Sequence, residues 1–217
     1  MRTEELPIPG FDRAYLAAPD DPAPGVLVLH DWYGLLPSVS RLCDELATEG
    51  FVALAPSVYG DRTTTDHAVA EELLAIFGEP WVVPAGTQAL EHLRTLGAPG
   101  RRVGVVGFSA GAGLALRLAA ENDVAGAVSV YGILGPPCDE ELRAPVQTHW
   151  AEVDEWEPAD APDRFVDGLR ARGVDVERFD YPGTEHSFFN AAAKQYDAEA
   201  AGLAFTRIVD FLRRVTA

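Results

Sequence analysis

The stretch RVGVVGFSAGAGLALRLAA, residues 102–120, decides the fold. Its first part, RVGVVGF (102–108), is short and almost wholly apolar, as a strand covered on both faces must be. Its last part, AGLALRLAA (112–120), is compatible with a helix. Between them GFSAG (107–111) predicts a sharp turn, with Gly107 and Gly111 leaving room for strand and helix to pack closely around it.

The same alternation extends outward from this unit. Strand-like runs stand at 25–30, 51–56, 124–131, 145–151 and 174–181. Helical patterns stand at 40–50, 65–78 and 161–173, each ending near a glycine, and a closing helix is expected from about Glu199 to Val215. Strands alternating with helices imply an α/β protein with a mostly parallel central sheet and helices on both faces. The Pro-rich pieces at 20–25 and 78–86 read as loops. No repeat or linker divides the chain, so residues 1–217 are expected to form one domain.

Composition narrows the function classes. Seventeen Lys and Arg against 34 Asp and Glu give a formal net charge of −17, which repels nucleic acid and anionic membrane surfaces. A membrane span needs roughly 20 consecutive apolar residues, and no such run exists. The start, MRTEELPIPG, has no basic end leading into an apolar stretch, so the cytoplasm is the expected location. Cys43 and Cys138 make neither a metal cluster nor a disulfide framework, and Cys43, beside Leu42 and Leu46, reads as a small buried residue. No His/Cys/carboxylate grouping has ligand spacing, so no metal and no organic cofactor is expected. The oligomeric state is left open.

Chemistry enters at Ser109. A turn of this kind strains the backbone at the serine, pushes its hydroxyl out of the sheet, and sets it at a helix N-terminus, where free N–H groups favour developing negative charge. A phosphate loop would need Gly-Lys-Ser/Thr, and a dinucleotide fingerprint would need G-x-G-x-x-G; neither is present. Of the two histidines after Ser109, His149 lies inside a strand-like run and reads as a satisfied core or edge residue. His186, in YPGTEHSFFN (181–190), lies on a loop directly after the last strand and is the candidate general base. Its orienting acid is sought among Glu152, Asp154, Glu155, Glu157, Asp160 and Asp163; Asp154, just past a strand end, is favoured. Two backbone donors are needed for an oxyanion: Ala110, after the nucleophile, and Trp32, in HDWYG (30–34). Asp31, Tyr33 and Phe188 are expected to line a substrate pocket. Trp150 reads as core, while Trp81 and Trp156 are open between core and pocket.

Taken together, VLVLHDWYGLLPSVSRLCDELATEGFVALAPSVYG (26–60), GVVGFSAG (104–111), the loop around Asp154 and YPGTEHSFF (181–189) resemble the successive motifs of the dienelactone hydrolase family. The resemblance runs from about residue 10 to the C-terminus. It implies an α/β-hydrolase fold without a large cap domain, in keeping with the dozen or so residues between Tyr131 and Pro145, and an open pocket for a modest-sized ester or lactone. Two departures stand out. Name-giving members of the family use Cys where this chain has Ser109, with a Glu where it has Asp31. They also bind the substrate carboxylate with arginines, one of them at the position of Asn190. The expected activity is hydrolysis of a small ester or lactone through an acyl-enzyme, with Ser109, His186 and Asp154 as triad. A serine peptidase or thioesterase would use the same three residues. A non-catalytic binding protein on the same scaffold is the remaining alternative, and it has no need of an activated serine.

Overall fold

The computed structural model describes residues 1–133 and 142–217. Cys138 and most of the link between Tyr131 and Pro145, on which two of the expectations above rest, lie outside the described residues.

Among the described residues eight strands form one sheet: β1 (Arg2–Ile8), β2 (Phe11–Ala18), β3 (Gly25–Leu29), β4 (Val52–Pro56), β5 (Gly104–Phe108), β6 (Ala127–Val130), β7 (Val146–Val153) and β8 (Val176–Glu185). Their spatial order is β1-β2-β4-β3-β5-β6-β7-β8. The β1–β2 and β2–β4 pairings are antiparallel, and every pairing from β4 through β3 to β8 is parallel. The C-terminal ends of β3 to β8 therefore share one rim.

Among the described residues six α-helices cover the sheet: α1 (Pro37–Thr48), α2 (His67–Leu74), α3 (Val82–Leu96), α4 (Ala110–Glu121), α5 (Ala161–Ala171) and α6 (Ala198–Thr216). The two-residue period of a strand divides the core. Val26 and Val28 of β3 pack in one layer with Leu42 and Leu46 of α1 and Ile208 and Leu212 of α6. Leu27 and Leu29 face the other layer, with Leu90 and Leu93 of α3, Leu116 and Leu118 of α4 and Val166 of α5. Every residue of β3, β4, β5 and β6 is buried, which is why these strands read as unbroken apolar runs. No helix among the described residues is long and apolar enough to cross a membrane.

Two elements depart from the sequence reading. The β1–β2 hairpin, closed where Ile8 pairs Phe11, precedes the first expected strand; β1 lies at the sheet edge and is mostly exposed, so it carries no apolar run. The segment 78–86, expected as a loop, enters α3 at Val82. Pro84 is the third helical residue, where a missing N–H forfeits no intrahelical bond, so a proline signal that suggests a break here marks a start.

Candidate active site

Four parallel strands deliver the site to the common rim. β5 ends at Phe108 and Ser109 follows; β7 ends at Val153 and Asp154 follows; β8 ends at Glu185 and His186 follows; β3 ends at Leu29 and leads to His30 and Asp31.

At the turn after β5, Ser109 has φ 51° and ψ −117°, a conformation that costs a non-glycine residue about 1–3 kcal/mol. Two close approaches hold it there. A Cβ on Gly107 would lie 2.1 Å from the Gly111 carbonyl oxygen, and one on Gly111 would lie 2.3 Å from that of His30. The Ser109 N–H donates to the Val130 carbonyl at 2.9 Å, binding the turn to β6. Two other non-glycine residues with positive φ flank the same place, Tyr131 (40°) after β6 and Ser187 (70°) after His186.

The side chains meet in a line. Ser109 Oγ donates to His186 Nε2 at 2.9 Å, and His186 Nδ1 donates to Asp154 Oδ2 at 2.8 Å. Asp154 Oδ1 accepts the Trp156 and Glu157 N–H groups at 2.9 and 3.3 Å, which fixes the carboxylate by the turn that follows β7. The side chains of His186 and Asp154 are each only 11% exposed. Ala110 is the first residue of α4, where N–H groups have no partner within the helix. Trp32 stands on the loop after β3, in an Asx turn in which the Tyr33 N–H donates to Asp31 Oδ1 at 2.9 Å. His30 anchors that loop: its Nε2 accepts the Val58 N–H at 3.0 Å and its Nδ1–H donates to the Asp31 carbonyl at 2.6 Å. Full burial keeps this imidazole neutral, pushing its pKa down to about 4.

Asp31 is buried. Asn190 Nδ2 donates to its Oδ2 at 2.8 Å, and burial raises its pKa to about 6 against the pull of the Tyr33 and Asn190 donors. These two residues form part of the wall of a cavity of about 310 Å³, together with Phe108, Tyr131, Phe189 and Arg41. Phe188, expected at the pocket, is instead fully buried, its ring 5.5 Å from Tyr131 and 4.7 Å from Tyr181. The strained turn at Ser187 sends Phe188 into the core and leaves Phe189 facing the cavity. Tyr33 lines a second cleft, of about 130 Å³, beside His186. His149 lies in the core, accepting the Tyr181 hydroxyl at 2.6 Å and donating to Gln147 Oε1 at 2.9 Å. Burial holds it neutral, with a pKa of about 3. Trp150 is buried with its Nε1–H on Thr148 Oγ1. Trp156 is 39% exposed at the second cleft.

Sequence reading did not find Arg41 or His67, because nothing in a helical repeat marks which exposed position faces a cavity, nor Phe189, because which of two adjacent phenylalanines faces inward is set by the turn at Ser187. Among the described residues, no three His, Cys, Asp or Glu side chains gather in a way that could hold a metal ion.

The profile described as the dienelactone hydrolase family matches residues 13–216. Protein usf of Aquifex pyrophilus is 29% identical over 93% of this chain and 92% of its own. The carboxymethylenebutenolidase of Pseudomonas putida is 26% identical over 98% of this chain and 97% of its own. Among solved structures, a dienelactone hydrolase-like promiscuous phosphotriesterase from metagenomic libraries superposes with a TM-score of 0.87 at 21% identity, covering 100% of this chain and 99% of that one.

Proposed function

The chain belongs to the dienelactone hydrolase family, and from that premise we propose that it is a serine hydrolase cleaving a small ester or lactone through an acyl-enzyme. The observation that carries the reading is the unbroken run of two hydrogen bonds, Ser109 Oγ to His186 Nε2 at 2.9 Å and His186 Nδ1 to Asp154 Oδ2 at 2.8 Å. It is the arrangement a hydroxyl needs to lose its proton as it attacks.

In this mechanism Ser109 Oγ bonds to the substrate carbonyl carbon while its proton passes to His186 Nε2. Asp154 holds the Nδ1 proton in place and stabilises the imidazolium. The Ala110 and Trp32 N–H groups receive the oxyanion, and the N-terminus of α4 adds its positive end. The tetrahedral centre collapses, the alkoxide leaves with the proton from His186, and the acyl group stays on Ser109. Water then repeats the cycle, giving its proton to His186 and releasing the acid. With a lactone the alcohol remains tethered to the acyl chain until that last step. No metal or cofactor is required by any step. We read residues 1–217 as one domain, since both apolar layers lie on the one sheet.

The test is intact-mass analysis after treatment with a fluorophosphonate. Wild type should gain one adduct, Ser109→Ala none, and His186→Ala should label at least about 100-fold more slowly. Equal labelling of wild type and Ser109→Ala would remove the proposed nucleophile.

A further inference from the structure

The cleft of about 130 Å³ beside His186 has walls that the hydrolytic steps leave unexplained. Trp32 and Tyr33 come from the loop after β3, His67 from the start of α2 and Trp156 from the loop after β7. Their rings stand at steep angles rather than in a stack. Trp32 and Trp156 have centroids 5.0 Å apart at 69°, Trp32 and His67 4.8 Å at 81°, and Tyr33 and His67 6.1 Å at 63°. Trp156 also lies 6.4 Å from the His186 ring. Two carboxylates, Glu155 and Glu185, also line it beside Ser187 and Gln195, and among the described residues no arginine or lysine does.

Aromatic rings that pack edge to face and line a small cleft, with carboxylates beside them, attract a cation that hydration holds only weakly to the faces left open. A net charge of −17 raises the local concentration of cations and lowers that of anions. His186 must protonate the leaving oxygen, so the portion of the substrate lying along it is the alcohol. We propose that this cleft binds a quaternary or protonated amine on the alcohol portion of the ester, making amino-alcohol esters the preferred substrate class. The proposal rests on the reading of Ser109 and His186 given above. In the step itself the acyl–oxygen bond breaks, the acyl group passes to Ser109 Oγ, and the amino alcohol leaves with the proton from His186.

Two measurements separate the cleft from the chemistry. In the first, tetramethylammonium chloride and tert-butanol are titrated by calorimetry at pH 8 and constant ionic strength into wild type, Ser109→Ala, Trp156→Leu and His67→Leu. Tetramethylammonium should bind wild type and Ser109→Ala saturably, at least tenfold more tightly than tert-butanol. Trp156→Leu and, independently, His67→Leu should each weaken it about tenfold. Equal binding of the two probes, or affinity untouched by both substitutions, overturns the proposal and leaves only the field of an acidic protein. In the second, kcat/KM for acetylcholine is compared with that for 3,3-dimethylbutyl acetate, its neutral isostere. A ratio of ten or more that falls toward one in Trp156→Leu is expected; a ratio near one in wild type overturns the proposal. Saturable, Trp156-dependent binding of tetramethylammonium with no hydrolysis of either ester would sustain the cation site and count against the hydrolase reading alone.

Discussion

The amide of Asn190 donates to Asp31 Oδ2, while its oxygen accepts the Ala192 N–H at 2.9 Å and the Ser38 hydroxyl at 3.3 Å. One side chain thus ties the loop after β3, the start of α1 and the loop after β8. Replacing it by Ala strips a buried carboxyl of a donor, which costs about 1–3 kcal/mol and moves the Asp31 pKa further up. Urea unfolding of Asn190→Ala at pH 7 checks the first expectation, and titration of the Asp31 carboxyl by NMR the second. At the other end of the line, Asp154→Asn preserves the shape of the acid but presents an amide to His186. The wrong tautomer is then favoured, and kcat should drop by about three to four orders of magnitude, with KM little changed. Steady-state kinetics on any ester that wild type hydrolyses decides this. These positions could be located from sequence because Ser109, Asp154 and His186 each stand one residue past a strand, and strands are marked by their neighbours. The aromatic cleft could not, since Trp32, His67 and Trp156 are separate in the chain and meet only when two loops and the start of α2 converge.

At the scale of elements, the junction of β5 and α4 tolerates no added atom. Gly111→Ala places a methyl group 2.3 Å from the His30 carbonyl and 2.4 Å from that of Leu29, both backbone and both fixed in the sheet. The helix must retreat, and stability should drop by more than about 3 kcal/mol, beyond ordinary overpacking. Gly202 in α6 is the converse, helical, exposed and with nothing within 4 Å of a new Cβ. Gly202→Ala should raise Tm by about 1–3 °C through the reduced entropy of the unfolded chain. Thermal unfolding of the two variants beside wild type separates a steric demand from a merely small residue. The parallel strands could be read directly because burial on both faces leaves only apolar residues to choose from. The β1–β2 hairpin could not, because β1 alternates little and carries Arg2, Glu4 and Glu5 at an exposed edge. Nor could the start of α3, where Pro80, Trp81 and Pro84 compose a loop in sequence and a helix entrance in space.

For the molecule as a whole, three buried groups contribute to the response to acid with signs that can be worked out. His30 and His149 stay neutral in the fold, with pKa values of about 4 and about 3, against 6.5 when exposed. Below pH 6.5 the unfolded chain takes up protons at both that the folded chain refuses, so their contribution to stability is lost as pH falls. Asp31 works the other way, keeping its proton to about pH 6 in the fold against 3.8 outside it, so its contribution is lost as pH rises through that range. Between pH 6 and pH 4 two protons oppose one, and these groups together take away about 1.4 kcal/mol per pH unit on acidification. Asp31→Asn removes the opposing member, and the slope of unfolding free energy against pH should steepen by a similar amount; denaturant curves at four pH values would measure it. The shared rim of the strand ends has another outcome. Turns at Gly50, Gly100 and Gly173 precede β4, β5 and β8 on the opposite rim, with open space around each; their φ of 90°, 79° and 78° reserves the three positions for glycine, so a side chain belongs on an exposed neighbour such as Thr48 or Pro99. The molecule has a working pole and an idle one, so a tether or a fluorophore attached at the idle pole would leave the mouth facing solution, and immobilised enzyme oriented that way should keep its full turnover.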